Sequence, residues 1–361
     1  MNTALIVGAT GVIGEATLAR LATAPDWDVI ALSRRQPEAI AGGNFQHYPL
    51  DLHDAVACRT LCQKLTKVTH VIYAAVSEQP GLVAGWRDRQ QMQINLDMLT
   101  HLLEPLAEVA PDLQHVTLLQ GAKAYGAHAG HRAPLPAREN APRVQHENFY
   151  WLQEDYLRDL AQKVGFSWTI FRPQVVVGST WGAAMNPMLA FAAYAAIRRE
   201  EGKPFSYPGG EVQIGEIVDA DLLAEVFEWA AISPAARAQT FNITNGDVCA
   251  WREVWPVLAT ALGVELGADE PMSLAEYLAA RTEIWDAIVQ RHGLRPLKLM
   301  SFLGESHHYV DILLRKDTKA IQRPMLLSTI KLRKAGFAGC RDSEEVLRRL
   351  VEEMRARRLI P

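Results

Sequence analysis

The chain has 361 residues, 49% hydrophobic and 22% charged, so it can bury a full core and does not read as disordered. Its formal net charge of -4 gives no general electrostatic drive toward nucleic acid or an anionic membrane. There is no basic leader, and the most apolar helical stretch, Met188 to Ile197, is far short of the ~20 residues a membrane span needs, which predicts a cytoplasmic protein.

Ala4 to Val7 is a short apolar run ended by Gly8, and a helix is predicted from about Gly11. Trp27 to Leu32 and Gln46 to Pro49 read as the next two strands. The helix that follows carries Cys58 and Cys62 on one face, read as two reduced thiols because no second Cys/His pair has ligand spacing. Val68 to Ala74, Val116 to Leu119 and Ser167 to Phe171 continue the series, with helical stretches between most strands. This alternation predicts an α/β fold, a Rossmann-type doubly wound parallel sheet covered on both faces. His128 and His131 lie in a loop rich in Gly, Ala and Pro and read as surface histidines rather than zinc ligands, having no Cys or carboxylate partner at ligand spacing.

After Arg172-Pro173 the texture changes. Gly178 to Asn186 holds small residues with Trp181 and Met185, an Ala-rich helix follows through Phe191 and Tyr194, and Phe241 to Thr244 reads as one more strand. From Trp251 onward the chain is mostly helical. The expected division is a dinucleotide-binding domain over 1–175 and a smaller, mostly helical substrate-binding lobe over 176–361, with 210–250 returning to the sheet. The last helix starts at the capping residues Asp342 and Ser343 and buries Leu347, Leu350, Val351 and Met354. Arg355, Arg357 and Arg358 read as its solvated, dipole-favoured end.

The segment Gly8-Ala-Thr10-Gly11-Val12-Ile13-Gly14 follows a strand and opens a helix. Glycine serves where the backbone turns tightly and where it must approach a pyrophosphate, which the free N–H groups of the helix start then bind. Strand, turn and helix together make this a dinucleotide site rather than a plain turn. An NAD site places a carboxylate about 20 residues on to hold the ribose 2′-OH. Here Ser33-Arg34-Arg35 stands in its place, and paired guanidiniums suit a 2′-phosphate, so NADPH is expected.

The spacing GxxGxxG resembles that of short-chain dehydrogenase/reductases, particularly the extended ones, and Asp51-Leu52 resembles their adenine-contacting segment. Ala74, Pro173 and Val175 complete the cofactor contacts that this resemblance implies. The superfamily's usual catalytic signature is Tyr-x-x-x-Lys, yet none of the nine tyrosines has a lysine four residues later. Tyr150 is followed by Glu154, Tyr194 by Arg198 and Tyr277 by Arg281.

Three other segments bear on this. They are Gln120-Gly-Ala-Lys123-Ala-Tyr125-Gly126, Asn148-Phe-Tyr150-Trp-Leu-Gln-Glu154-Asp155, and Phe241-Asn-Ile-Thr-Asn-Gly-Asp247-Val-Cys-Ala-Trp251. Together they resemble the progesterone 5β-reductase/iridoid synthase family of atypical short-chain dehydrogenases, from Thr3 to about Trp255 and more weakly to Pro361. The resemblance implies that Tyr150 is the catalytic tyrosine and that Lys123, from a different loop, takes the lysine role, both also touching the cofactor. It implies reduction of the C=C bond of an α,β-unsaturated carbonyl compound, with a small apolar enone as substrate; a homodimer is a separate expectation. The chain departs from the plant members in Tyr73-Ala74-Ala75-Val76, in Ala124 where a histidine is common, and in Trp151 where a second tyrosine stands. These departures bear on the substrate more than on the chemistry. The Gly178 to Tyr194 stretch is a candidate substrate wall, but an apolar stripe on such a helix is more often core. A carbonyl reductase or epimerase using the same two residues, and a non-catalytic NADP-sensing module, are the alternatives.

Overall fold

The computed structural model describes residues 1–211, 213–320 and 323–361. The chain forms two compact units. The first comprises residues 1–174, 220–243 and 327–339, and the second residues 175–219, 244–326 and 340–361.

The first unit opens with β1 (Asn2–Val7), α1 (Val12–Ala22), β2 (Trp27–Ser33), β3 (Gln46–Pro49), α2 (Ala55–Cys62) and β4 (His70–Tyr73). It continues with α3 (Arg89–Val109), β5 (His115–Leu119), α4 (Phe149–Val164) and β6 (Ser167–Pro173). The second unit then supplies β7 (Val175–Val177), α5 (Pro187–Glu200), β8 (Ile214–Gly215) and β9 (Ile217–Asp219). The chain returns to the first unit for α6 (Ala220–Ile232) and β10 (Gln239–Ile243). β11 (Cys249–Ala250), α7 (Trp251–Leu262), α8 (Leu274–Ala279), α9 (Thr282–His292), α10 (Leu299–Leu303) and α11 (Ser306–Leu314) belong to the second unit. α12 (Ile330–Lys334) belongs to the first again, and α13 (Ser343–Ala356) closes the second.

Seven strands form one parallel sheet in the order β10-β6-β5-β4-β1-β2-β3. Central strands of a parallel sheet are covered on both faces, which is why β1 and β4 read as continuous apolar runs and are buried along nearly their whole length. The expected doubly wound sheet is what forms. The order reverses between β1 and β4, and in such sheets the crevice at the carboxyl ends of the strands beside this reversal receives the ligand. Gly8, Ser33, Ala74, Gly121 and Pro173 all stand at carboxyl ends of strands.

In the second unit α5 is buried on every side from Pro187 to Arg198 and is a core helix. Its Phe191 and Tyr194 pack against Trp255, Tyr194 also against Phe205, and Tyr207 lies on the same indole. Arg355, Arg357 and Arg358 are not simply the expected solvated cluster, although Arg358 is exposed. Arg355 donates to the carbonyl oxygens of Ala261 and Pro361, Arg357 to Ser179, and Arg358 to Gly293. They tie carbonyls that end other segments, which a charge cluster read along the sequence does not reveal. None of the four cysteines is disulfide-bonded, and burial pushes Cys58 and Cys62 up to about 11 and about 12, so both thiols are protonated and inert. Among the described residues no helix is long and apolar enough to cross a membrane.

Candidate active site

The glycine loop turns between β1 and α1. Gly8 has φ +87°, a conformation that L side chains rarely adopt, and a Cβ there would lie 3.0 Å from the backbone of Ala74 and Ala75. The expected contact residue Ala74 is therefore part of the same wall. Gly14 packs so closely on the loop that a Cβ would lie 2.1 Å from the carbonyl oxygen of Gly8. Gly11 is the N-cap of α1 and no side chain caps that end, so the first-turn N–H groups at Val12, Ile13 and Gly14 are available to an anion. A Cβ on Gly11 would meet only the Gly8 oxygen, at 3.4 Å. These are the features a pyrophosphate needs: close backbone, uncapped helix, open approach.

At the end of β2, Arg34 and Arg35 are exposed, and Arg35 reaches back to donate to the Thr10 carbonyl at 3.1 Å. Ser33 does not face the crevice as a free hydroxyl. Its Oγ donates to the Arg35 carbonyl at 2.7 Å and meets His47, which also bonds Gln36. Sequence reasoning had not singled out His47 or Gln36, which shape this arginine turn from β3 and the loop. Asp51 is exposed and its carboxylate accepts from the backbone and ring of His53, while Leu52 is buried. Val175 opens β7 in the second unit.

Lys123 sits on a 3-10 turn, Ala122–Tyr125, directly after β5, and Tyr150 in the first turn of α4. Asn148 joins the two. Its side-chain oxygen caps α4 by accepting from Tyr150 N at 3.0 Å, and its amide nitrogen donates to the Lys123 carbonyl at 3.3 Å. Gln120 makes a second link, donating to the Tyr150 carbonyl at 3.2 Å and to Glu154 at 3.0 Å. Arg172 on β6 closes the set through Gln120 Oε1 at 2.9 Å and Glu154 at 3.3 Å. The Tyr150 hydroxyl lies 3.1 Å from where a Cβ on Gly121 would stand, so a side chain at 121 would press against it.

The position four residues after the tyrosine is thus filled by an acid with a structural task. Burial pushes the Glu154 carboxyl up, but the hydrogen bond from Gln120 and the guanidiniums of Arg172, Arg143 and Arg158 outweigh it and hold it below the ordinary carboxylate range. Lys123 has its own neighbours, Glu78 and Trp86, neither of which the sequence had flagged. The third motif also proves structural. Asn242 accepts the Tyr125 hydroxyl at 2.5 Å in the first unit, and Asp247 accepts from Ser343 at the start of α13 in the second. His131 is exposed as expected, but His128 is half-buried, packed against Trp86 and His146. Among the described residues no group of three or more His, Cys, Asp or Glu could hold a metal ion.

A seven-stranded parallel sheet with a glycine-rich turn at its reversal point, a lysine after β5 and a tyrosine in the first turn of α4 define a protein of the Rossmann-type fold. Solved structures with this fold include the UDP-glucose 4-epimerase of Thermotoga maritima, determined with UDP-glucose (TM-score 0.69, 16% identity, 99% of each chain covered). The Brucella ovis UDP-glucose 4-epimerase, determined with NAD, is another (TM-score 0.67, 16% identity, 98% of each chain). Within the class, residues 53–361 match the model of the PRISE-like Rossmann-fold domain, and the chain belongs to that family. Relatives include the (S)-8-oxocitronellyl enol synthase of Antirrhinum majus, 33% identical over all of this chain and 93% of the relative. The 3-oxo-Delta(4,5)-steroid 5-beta-reductase of Arabidopsis thaliana is 31% identical, again over all of this chain and 93% of the relative.

Proposed function

We propose that the protein uses NADPH to reduce the C=C bond of a small apolar α,β-unsaturated carbonyl compound, by 1,4-addition. The observation that carries the reading is the joining of the segments that bear Lys123 and Tyr150, through backbone bonds to Asn148 and Gln120, with Glu154 in the place of the usual lysine. The relatives support it: one is named for reduction of a 3-oxo-Δ4,5-steroid, a ring double bond conjugated to a ketone. Gly8, Gly11 and Gly14, with the start of α1, would hold the pyrophosphate, and Arg34 and Arg35 the 2′-phosphate. When bound, the cofactor supplies hydride.

The chain's own groups then have a limited task. Tyr150 donates a hydrogen bond to the substrate carbonyl oxygen and holds the negative charge that builds there as an enolate. An oxyanion donor of this kind is worth ~3–4 kcal/mol. Lys123 orients the nicotinamide ribose and supplies positive charge close to Tyr150, which makes the phenol a stronger donor. The α-carbon takes its proton from solvent, so no further acid is required.

The test is product analysis with 2-cyclohexenone and NADPH deuterated at the transferring position. The expected product is cyclohexanone with the label at its β-carbon. An allylic alcohol labelled at the carbinol carbon would replace this reading with carbonyl reduction, and absence of turnover across an enone panel would replace it with a binding role.

A further inference from the structure

The Lys123 ammonium lies 3.7 Å from Oε1 of Glu78 and 3.5 Å from the centre of the Trp86 ring. The Glu78 side chain is 5% exposed, and its other oxygen accepts the Trp86 indole N–H at 3.1 Å. One carboxylate and one aromatic face, bonded to each other, therefore enclose the ammonium. Both favour a cation.

The place of Glu78 is fixed without help from the lysine. Its neighbour Ser77 exchanges two hydrogen bonds with Asn95 on α3, N–H to Oδ1 and Nδ2 to carbonyl, each 2.9 Å. The Asn95 carbonyl accepts from Gln153 at 2.8 Å. Asn95 and Gln153 are buried, and Gln153 lies three residues beyond Tyr150 on α4. The helix that carries the tyrosine thus anchors, through two buried amides, the acid that faces the lysine. This anchoring and the indole bond set Glu78 apart from a chance surface partner.

We infer that Glu78 and Trp86 form a cradle that keeps Lys123 in place and in its charged form, which makes Glu78 a positioning residue acting through Lys123. Its consequence for catalysis rests on the role proposed for Lys123 above. Burial opposes the charge and pushes Lys123 down to about 8, with Glu78 pulling it back up. Burial likewise raises Glu78, and Lys123 and Trp86 resist that. His128, another titratable group beside Lys123, is held down to about 4 by burial, with Lys123, His146, Arg87 and His131 acting the same way. It is neutral at working pH and cannot serve as the counter-charge.

The direction follows. A function that needs the ammonium is present below its pKa and lost as pH rises through it. Neutralising Glu78 moves that loss to lower pH, by about one to three units for an opposite charge at this range.

Glu78→Gln in the full chain tests the cradle in two ways. Trace acetylation of Lys123 in the cofactor-free protein, followed by mass spectrometry against exposed Lys64, reads the lysine directly. Its midpoint is expected near 8 in the parent and about one unit or more lower in the variant, with Glu78→Asp between them. The basic limb of kcat/KM with 2-cyclohexenone should move by the same amount. A folded Glu78→Gln variant whose acetylation midpoint is unchanged overturns the inference, as does a fall in kcat at every pH with the limb unmoved. If Glu78→Gln does not fold, Trp86→Leu carries the test: a lower midpoint supports the cradle and an unchanged one overturns it. If the parent protein reduces no enone, the proposed function falls, while the acetylation arm still decides the cradle.

Discussion

At the end of β1 the site is made of seven consecutive residues, Gly8 to Gly14, and works through backbone. At the ends of β5 and α4 it is assembled from Lys123, Asn148, Tyr150, Gln120, Glu154 and Arg172, and works through side chains. The first construction depends on what is missing: the Gly8 wall and the Gly14 contact leave no room for a Cβ. The second depends on buried polar groups that satisfy one another, where loss of one member leaves others unpaired. The lesson is that the cofactor end should tolerate change around the glycines but not at them. The proposed catalytic end should respond to changes several residues from Lys123 or Tyr150.

The largest expected effect lies at the catalytic end. Tyr150→Phe should lower turnover by ~10²–10³ while leaving the dissociation constant for NADPH, read by fluorescence titration, near that of the parent. A loss confined to cofactor binding would erase the contrast between the two regions. Next is the double change Arg34→Ala, Arg35→Ala. Hydrogen bonds to charged groups contribute ~1.5–3 kcal/mol, so the KM for NADPH should rise by ~10-fold or more with that for NADH nearly unchanged. Equal losses with both cofactors would show that the arginines do not read the 2′-phosphate. The smallest effect belongs to the linker. Asn148→Ala removes the cap of α4 and should lower stability by about 1 kcal/mol in urea unfolding. Because the same amide reaches Lys123, turnover should fall several-fold while NADPH binding holds. Unchanged turnover would mean that the two catalytic segments do not need this tie.

The glycine loop could be read in the sequence because everything it needs is local. So could the seven strands of the large sheet, and β3 matches its expected bounds residue for residue. β5 begins one residue earlier than its apolar run, at His115. That imidazole is buried beside His70, which itself packs against Trp27, and hydropathy alone could not show this. Tyr150 and Lys123 are proposed on resemblance rather than on spacing. Glu78 and Trp86 were not found at all, because a contact between a loop after β4 and a turn after β5 has no sequence period. Nothing local marks Glu154 as buried either. Its partners Arg143, Arg158 and Arg172 come from a loop, a helix and a strand. His128 was misread for a related reason: Gly and Ala neighbours suggest exposure, and the rings that cover it lie far off in the chain.

The late arrival of β10 bears on how the protein is made. A ribosome releases β1 to β6 long before residues 239–243, and the N-terminal part of a chain begins to fold first. During that interval β6 is an open edge of a parallel sheet, with its N–H and C=O groups unpaired on one side and Phe171 not yet covered by Phe241. In the finished molecule β10 pairs with β6 and becomes the edge strand, where Lys331 of α12 donates to its Thr240 carbonyl at 2.9 Å. A nascent chain halted before Gln239 would therefore present β6 as an open strand that the complete one pairs with β10.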